Sequence, residues 1–264
     1  MAKRGGFGGA WCGAVAAGAF GLGVTAAQAA PLIDVQFTQT GSPAYSGAAL
    51  LGASGDHWNT FSVPSVFGGP SSVSGSGALN TTAGASSGIS LSYAALGGFD
   101  ATTNSPFFGG TTYANLLDAY MLTFTDTPTT TASGAPGTVT LSGLVAGASY
   151  NLVLYSVANT SGRQTDFLVN GVTQSVTAEA GTTLKAGVNY TDFTATANAS
   201  GQLVITFYGS VSGNSDGEGD LNGLQLQALP PPPPPQTTPE PASLALLGSA
   251  LALTLAARRR KTAV

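Results

Sequence analysis

The stretch DFLVNGVTQSV, residues 166–176, carries the pattern that decides the fold. Two short runs rich in valine, threonine and aromatic residues, 166–169 and 172–176, flank the dipeptide Asn170-Gly171. Asn-Gly favours the tight two-residue turn that joins antiparallel strands, because both of its residues adopt a positive φ at low cost. The stretch therefore predicts a β-hairpin.

Similar short runs, separated by turn residues, recur through residues 30–229, and little of this segment has helical periodicity. We therefore predict an all-β fold, a single antiparallel β-sandwich of the jelly-roll type, with a core large enough for one domain. Residues 115–120 are predicted to form one helical turn or a short helix. The predicted strands cover residues 32–37, 89–93, 121–124, 138–144, 150–157, 166–169, 172–176, 190–195, 203–208 and 221–228.

A local motif supports the sandwich. Residues 141–150, LSGLVAGASY, contain the spacing Leu-x-x-Gly-x-x-Tyr and end at Tyr150. This spacing resembles a tyrosine corner, in which the phenol bonds to a backbone group a few residues upstream. The alternative is that the Tyr150 ring stacks on a sugar, and the motif favours the corner.

The chain has few charges, and they are unevenly distributed. Only 8% of its 264 residues are charged, against roughly 25% in ordinary globular proteins. Residues 30–229 contain eleven acidic residues and only two basic ones, Arg163 and Lys185, which gives a net charge of −9. Such a body has no basic patch that could neutralise phosphates, which excludes nucleic acid as a partner. Divalent cations stay open as partners.

The first 29 residues have the pattern of a secretory signal peptide with its signal helix. Lys3 and Arg4 form a positive segment, and residues 9–27 are apolar and rich in alanine and glycine. Ala27 and Ala29 supply the small residues that signal peptidase accepts, so cleavage after Ala29 is predicted. A retained membrane anchor is the alternative. Cys12 is the only cysteine, so a mature chain has no disulfide, and any metal site must use oxygen ligands or His57.

The C-terminal segment has the pattern of a membrane anchor preceded by a stiff spacer. Residues 230–238 form a proline-rich linker whose six consecutive prolines favour an extended polyproline II conformation. Residues 242–257 are apolar and predict a transmembrane helix of ~24 Å. A basic tail follows, and positive charge stays on the cytoplasmic side, so the body lies outside the inner membrane. The tail consists of Arg258, Arg259, Arg260 and Lys261.

The order of these parts resembles the PEP-CTERM sorting signal of Gram-negative bacteria. Pro239-Glu240-Pro241 stands before the apolar run and the basic tail, so the signal covers residues 239–264. The resemblance implies recognition by an exosortase, a membrane transpeptidase, near the Pro-Glu-Pro motif. It also implies that the tail is removed and the body transferred to an envelope or exopolysaccharide acceptor. A simple C-terminal membrane anchor is the alternative.

The body also resembles a recurrent ectodomain of PEP-CTERM proteins, and it is similar to galactose-binding-like and carbohydrate-binding jelly rolls. The resemblance is carried by IDVQF at 33–37, YSGAA at 45–49, GDHWN at 55–59, the segment 144–167 and LNGLQL at 221–226. It implies glycan binding by analogy of fold alone.

The clearest side-chain candidates for a ligand contact are His57, Trp58 and Asn59. A sugar could stack on Trp58 and accept or donate hydrogen bonds at Asp56, His57 or Asn59. The alternative, which the sequence favours, is that Trp58 is a core residue near a strand start and Asp56 caps a turn.

An acidic repeat defines a candidate calcium site. Alternating polar residues place their oxygens on one side of an extended segment, and calcium takes six to eight oxygen ligands. The repeat departs from an EF-hand loop, and a solvated acidic loop is the favoured alternative. Asp34 could add a ligand, because first and last strands are often neighbours in jelly rolls. The repeat consists of Asn214, Asp216, Glu218, Asp220 and Asn222.

The sequence favours a non-enzymatic protein. Residues 84–88, GASSG, match Gly-x-Ser-x-Gly by chance within a Ser/Gly-rich stretch, and the only histidine lies upstream of them. We predict an exported envelope or matrix protein, sorted by its C-terminal signal, with a structural or adhesive role in biofilm or exopolysaccharide. The two alternatives are a carbohydrate-binding module and an exported glycan-active enzyme.

Overall fold

The computed structural model describes residues 31–66, 72–101, 107–130, 134–210 and 217–231. The predicted signal peptide, the Pro-Glu-Pro motif, the apolar segment and the basic tail lie outside these residues. Within the described ranges, no helix has both the length and the hydropathy needed to cross a membrane.

The described chain is almost entirely β, as predicted, with fourteen strands and one short helix. The helix α1 (Ala114–Leu117) falls where a single turn was predicted, and β6 begins two residues after it. The strands are β1 (Leu32–Gln39), β2 (Trp58–Val63), β3 (Val73–Asn80), β4 (Ser86–Ala95), β5 (Gly97–Asp100), β6 (Ala119–Phe124), β7 (Gly137–Ser142), β8 (Ser149–Tyr155), β9 (Gln164–Val169), β10 (Val172–Thr177), β11 (Tyr190–Thr196), β12 (Gln202–Gly209), β13 (Glu218–Leu221) and β14 (Gly223–Ala228).

Two large sheets form the sandwich. The first sheet has the strand order β11-β8-β14-β1-β2, and the second has the order β10-β9-β12-β7-β4-β3. A third, smaller sheet with the order β13-β6-β5 packs against β1 and β12. The pairs are antiparallel except β1 with β2, which is parallel. The sandwich is therefore confirmed, and the parallel pair and the third sheet are features that the sequence did not predict.

The core lies between the two large sheets. Strands have a side-chain period of two, so every second residue faces inward. Strand β1 sends Ile33, Val35 and Phe37 into the same apolar cluster as Phe167 of β9 and Ile205 of β12. All five side chains are almost completely buried. The core is thus built from the alternating apolar residues on which the strand predictions were based.

The Asn170-Gly171 turn forms as predicted. Asn170 has φ +49° and Gly171 has φ +79°, and Val169 pairs with Val172 across the turn. These two positive φ values are the signature of the type I′ turn. The Asn170 side chain also bonds to the backbone of Thr196, accepting its N–H at 2.8 Å, so the hairpin is attached to the first sheet.

The tyrosine corner is also confirmed. The Tyr150 ring is buried, and its hydroxyl accepts a hydrogen bond from the Val145 backbone N–H at 3.0 Å. The ring packs in the main core, so it does not stack on an external ligand.

Strands β2, β3 and β5 and most of β13 lie outside the predicted strand ranges, and β3 and β13 contain glycines in close contacts. In β3, Gly75 lies against the Tyr93 ring of β4, where a Cβ atom would come within 2.6 Å of ring atoms. In β13, Gly219 lies against the Tyr208 backbone of β12, where a Cβ atom would meet a carbonyl carbon at 2.4 Å. In both cases glycine permits a close approach of two parts of the chain. Because glycine is usually rare in strands, the sequence pattern does not predict these two strands.

Both ends of the described sandwich emerge on the same side. Leu32 pairs with Gln227, and the Leu229 N–H donates to the Ser149 carbonyl at 2.9 Å. We call this side, which includes loop 143–148, the terminal end. The opposite side, which includes loop 156–163, is the far end.

Candidate functional site

Trp58 belongs to the interior. Its side chain is buried, and its ring packs edge-on against Tyr45 with centroids 5.0 Å apart. The indole N–H donates to the Gly47 carbonyl at 2.9 Å. Asp56 caps the neighbouring turn, since its Oδ2 accepts the Ala53 N–H at 2.6 Å. These contacts correspond to the packing interpretation that the sequence favoured, and they leave no free indole face for a sugar.

Asn59 joins the two sheets. Its side-chain amide donates to the carbonyls of Asp34 and Asn80, at 2.9 and 2.8 Å, and its Oδ1 accepts the Asn80 N–H. His57 is exposed beside it, and its backbone N–H donates to the Thr82 carbonyl. The three predicted glycan residues are therefore adjacent, but two of them are engaged in packing and in backbone bonds.

The acidic repeat is divided between the described and the undescribed residues. Asn214 and Asp216 lie outside the described residues, while Glu218 and Asp220 lie on β13. Asn222 is fully buried and bonds to the backbone around Val157. Within the described ranges, no group of three acidic, histidine or cysteine side chains is placed to hold a metal ion. Calcium at Asp216, Glu218 and Asp220 stays a prediction.

Asp34 is bonded to Gln225, and its contribution to the repeat stays a prediction. As expected, β1 pairs with the last strand, β14, but the Asp34 carboxylate accepts a hydrogen bond from Gln225 Nε2 at 2.8 Å. Gln225 Oε1 in turn accepts from the Tyr155 hydroxyl and the Leu51 N–H. Burial raises the pKa of Asp34 to about 7, and the charge of Asp56 adds to the rise. Asp34 belongs to a buried network under residues 41–57.

A polar cleft of about 270 Å³ opens beside loop 156–163 at the far end. Its apolar wall comes from Val66, Phe99, Leu122 and Phe124. Its polar side is formed by Tyr120, Asn159, Arg163 and Glu218. Strands β5 and β6 supply the aromatic rings, β13 supplies the carboxylate, and the loop before β9 supplies the arginine.

A buried ion pair organises the polar side of the cleft. Arg163 Nη1 lies 2.7 Å from Glu218 Oε1, and the same nitrogen donates to Asn159 Oδ1 at 3.1 Å. Both charged side chains are less than a tenth exposed. Such a pair is retained in a buried place only when both partners are well bonded, because each lost partner leaves an uncompensated charge.

Tyr120 forms the floor of the cleft as a neutral phenol. Burial raises its pKa far above the ordinary value, and the negative charges of Asp220 and Glu218 raise it further. Its ring lies 5.4 Å from that of Phe99, at a tilt of 39°. The neighbouring Phe124 ring is 41% exposed, which makes it the open part of the apolar wall.

No sequence pattern predicts this cleft, although one residue type points to it. Arg163 is one of only two basic residues between residues 30 and 229. An isolated arginine in so uncharged a chain indicates a specific partner, and its partner Glu218 had been assigned to the candidate calcium site. The pairing depends on how β9 and β13 approach, which no local pattern shows.

The predicted proline-rich linker and then the predicted sorting segment follow β14 in the chain. Residue 231 is the last described residue, and the residues of the motif, the apolar run and the basic tail come after it. Residues 237–261 match the family model described as the PEP-CTERM protein-sorting motif. The chain carries a PEP-CTERM sorting motif. This motif implies that the protein is directed to an exosortase and exported via the cell envelope of a bacterium.

The chain has remote similarities to several solved structures. The ANX2 ectodomain from Arabidopsis thaliana is 13% identical, with a TM-score of 0.37, over 51% of this chain and 40% of the ectodomain. The CBM36-1 domain of a xylanase from the hindgut metagenome of Trinervitermes trinervoides is 11% identical, with a TM-score of 0.25. That match covers 42% of this chain and 99% of the domain.

A third solved structure, TmCBM61 in complex with beta-1,4-galactotriose, is 13% identical, with a TM-score of 0.27, over 62% of this chain and 94% of its own. The chain therefore spans about two fifths of the ANX2 ectodomain and nearly all of the two smaller domains. No curated protein matches the chain closely enough to serve as a relative.

Proposed function

We propose that the protein is a non-enzymatic component of the cell surface or extracellular matrix, anchored through its PEP-CTERM motif. Signal peptidase removes residues 1–29, and residues 242–257 hold the chain in the inner membrane of a Gram-negative bacterium. An exosortase then cleaves near Pro239-Glu240-Pro241 and transfers the β-sandwich to an envelope acceptor. The match of residues 237–261 to the sorting motif carries this proposal.

The body supports a structural or adhesive role in biofilm or exopolysaccharide. Sheet edges attract other strands unless they are protected, and here the neighbouring edges of the two large sheets are joined by side-chain bonds. Gln174 of β10 bonds to Thr191 and to the Asp192 carbonyl of β11, at one edge. Asn59 of β2 bonds to Asn80 of β3 at the other edge. A closed, weakly charged sandwich is suited to long exposure outside the cell.

The geometry favours this role over glycan hydrolysis. A glycosidase needs two carboxyl groups that can exchange protons with a substrate. Glu218 is held in the ion pair with Arg163, and Asp220, two residues along β13, is completely buried. Neither carboxylate is presented to a substrate in the way that acid and base catalysis requires.

Mass spectrometry of the protein from its native host tests the sorting proposal. We expect a mature chain that begins at Ala30 and has lost residues 242–264, in a surface or matrix fraction. Replacement of Pro239, Glu240 and Pro241 by alanine should leave the intact tail in the inner membrane fraction. The matched control replaces Pro233, Pro234 and Pro235 by alanine, which changes the spacer but keeps the motif. A surface protein that still ends at Val264 would overturn the proposal.

A deletion strain tests the matrix role separately. We expect it to form less biofilm than the parent, and the wild-type gene should restore the biofilm. The variant that lacks the Pro-Glu-Pro motif should fail to restore it. A deletion strain with unchanged biofilm and unchanged exopolysaccharide retention would contradict the proposed role while leaving the sorting step intact.

A further inference from the structure

The long connection between β1 and β2 crosses the outer face of the first sheet. The two strands are parallel, so the chain must return along their length before β2 begins. Residues 41–57, which we call the strap, make this return without a helix or a strand. Connections of this length are uncommon in compact domains, and they usually serve a function.

Side chains of the sheet hold the strap in place. The Leu50 N–H donates to the Tyr155 hydroxyl of β8 at 2.9 Å. Leu51 is held twice, because Gln225 Oε1 of β14 accepts its N–H at 2.9 Å and Gln225 Nε2 donates to its carbonyl at 3.0 Å. Leu50 is 40% exposed, so the strap covers the sheet without being deeply buried itself. A few polar contacts therefore decide whether the middle of the strap stays closed.

Asp34 of β1 lies beneath these contacts. Its Oδ1 accepts a hydrogen bond at 2.8 Å from Gln225 Nε2, the same group that donates to the Leu51 carbonyl. Its Oδ2 is buried, and no partner for this oxygen is found among the described residues. A charged carboxylate in this position has lost its water without gaining a second donor, and water reaches it only if the strap moves away. Ionisation of Asp34 therefore acts against the closed strap.

Among the described residues, the side chains around Asp34 offer no compensating positive charge. Burial raises the pKa of Asp34 to about 7, and the negative charge of Asp56 in the strap adds to the rise. The two nearby phenols are neutral, since burial raises the pKa of each. The uncharged groups that the strap and the sheet place around Asp34 are Tyr45, Asn59, Tyr155 and Gln225.

We propose that the strap is a pH-sensitive cover, closed over the first sheet while Asp34 is neutral and released when Asp34 ionises. Release uncovers the apolar cluster beneath it, in which Trp58 packs against Tyr45 of the strap and Val153 is completely buried. The sandwich would thus present an apolar surface in neutral surroundings and cover it in acidic ones. Release of the strap does not depend on whether an exosortase cleaves the chain.

Hydrogen exchange of the full chain in detergent, followed by mass spectrometry, tests the proposal. Exchange rates of the strap amides, divided by their intrinsic rates at each pH, give an opening constant. This constant should rise about tenfold per pH unit between pH 5 and pH 7 and level off above, because Asp34 has a pKa of about 7 under the closed strap and its ordinary value of 3.8 once released. The amides of β9 should stay protected while the strap exchanges. Equal opening constants for the strap and β9 would mean global unfolding alone and would overturn the proposal.

Variants assign the effect to Asp34. Asp34→Asn keeps an acceptor for Gln225 but cannot ionise, so its opening constant should stay the same between pH 5 and pH 8. Asp192→Asn removes an exposed acid of β11 and is the matched control, which should follow the wild type. Thermal melting verifies the fold of each variant, and if Asp34→Asn does not fold, the wild-type profile decides. An opening constant that is independent of pH in the wild type, or that rises equally in a folded Asp34→Asn, would overturn the proposal.

Discussion

Asp34 is a fully buried acid whose surroundings favour its neutral form. Gln225 donates one hydrogen bond to Oδ1, and no partner for Oδ2 is found among the described residues. Desolvation of the charged carboxylate raises its pKa to about 7, against an ordinary value of 3.8. Asp118, which is also buried, has a pKa raised to about 6 for the same main reason. Both acids hold a proton more tightly in the folded protein than in the unfolded chain.

This difference predicts a loss of stability as the pH rises. The stabilising effect of the neutral Asp34 is complete below pH 4, where the unfolded chain is protonated too, and it is lost as the pH rises towards 7. The total change is up to about 4 kcal/mol. In urea denaturation, Asp34→Asn should therefore gain stability relative to wild type between pH 5 and pH 8. The exposed Asp192→Asn is the control, and an equal pH profile for all three proteins would contradict the prediction.

Tyr150 gives a second prediction for a single residue. Tyr150→Phe removes the acceptor of the Val145 N–H and should cost about 1 kcal/mol in the free energy of unfolding. The cost is small because Val145 is 70% exposed, so water can replace the lost partner. Urea denaturation measures it, with Tyr190→Phe as the control on the partly exposed outer side of β11. A larger loss for the control would argue against a tyrosine corner.

Among the strands, the Asn59 side chain connects neighbouring edges of the two large sheets. Asn59 replaces a strand partner for Asn80, since its side chain both accepts from and donates to the Asn80 backbone. It also donates to the Asp34 carbonyl of β1. One amide thus connects β1, β2 and β3 across the edge of the sandwich.

Asn59→Ala should therefore destabilise the protein by about 2–4 kcal/mol, because it leaves buried backbone groups without partners. Differential scanning calorimetry and urea denaturation measure the loss. Asn151→Ala on β8 is the matched control, since its side chain is partly exposed on the outer face of the first sheet. If both variants lost the same stability, the connection through Asn59 would contribute nothing of its own.

Strands were predictable where local patterns decide them. The hairpin of β9 and β10 could be predicted from Asn170-Gly171, because turn chemistry there is contained in two residues. Strands β3 and β13 could not, because their glycines make room for the Tyr93 ring and the Tyr208 backbone from distant parts of the chain. The same reason hid the cleft, since Arg163 and Glu218 meet only when the third sheet closes the far end. Trp58, by contrast, is a candidate for ligand contact by its residue type alone, and its side chain is buried.

At the scale of the whole molecule, the position of β14 decides how an anchored protein would bear load. The chain continues towards the sorting motif from β14, which lies between β8 and β1 and is hydrogen-bonded to both. β14 runs antiparallel to each neighbour, and Leu32 of β1 lies beside Gln227 at the terminal end. The chain enters β1 and leaves β14 at the same terminal end. A force that pulls these two points apart would separate β1 from β14 one residue pair at a time. A force between the far end and the C-terminal end of β14 would pull β8 and β14 in opposite directions along their axes. All the hydrogen-bonded pairs between these two strands would then resist at the same time.

Force spectroscopy with engineered cysteines tests this difference. Thr160→Cys with Pro231→Cys pulls β8 and β14 in opposite directions along their axes, because residue 160 follows β8 at the far end and residue 231 follows β14 at the terminal end. Pro31→Cys with Pro231→Cys is the control that peels β1 from β14. All three positions are exposed, so the substitutions should leave the fold intact. We expect the first pair to rupture at several times the force of the second, since hydrogen bonds loaded in parallel must break together. Equal rupture forces would mean that the pairing of β14 with β8 does not increase the resistance of the sandwich to force at its point of attachment.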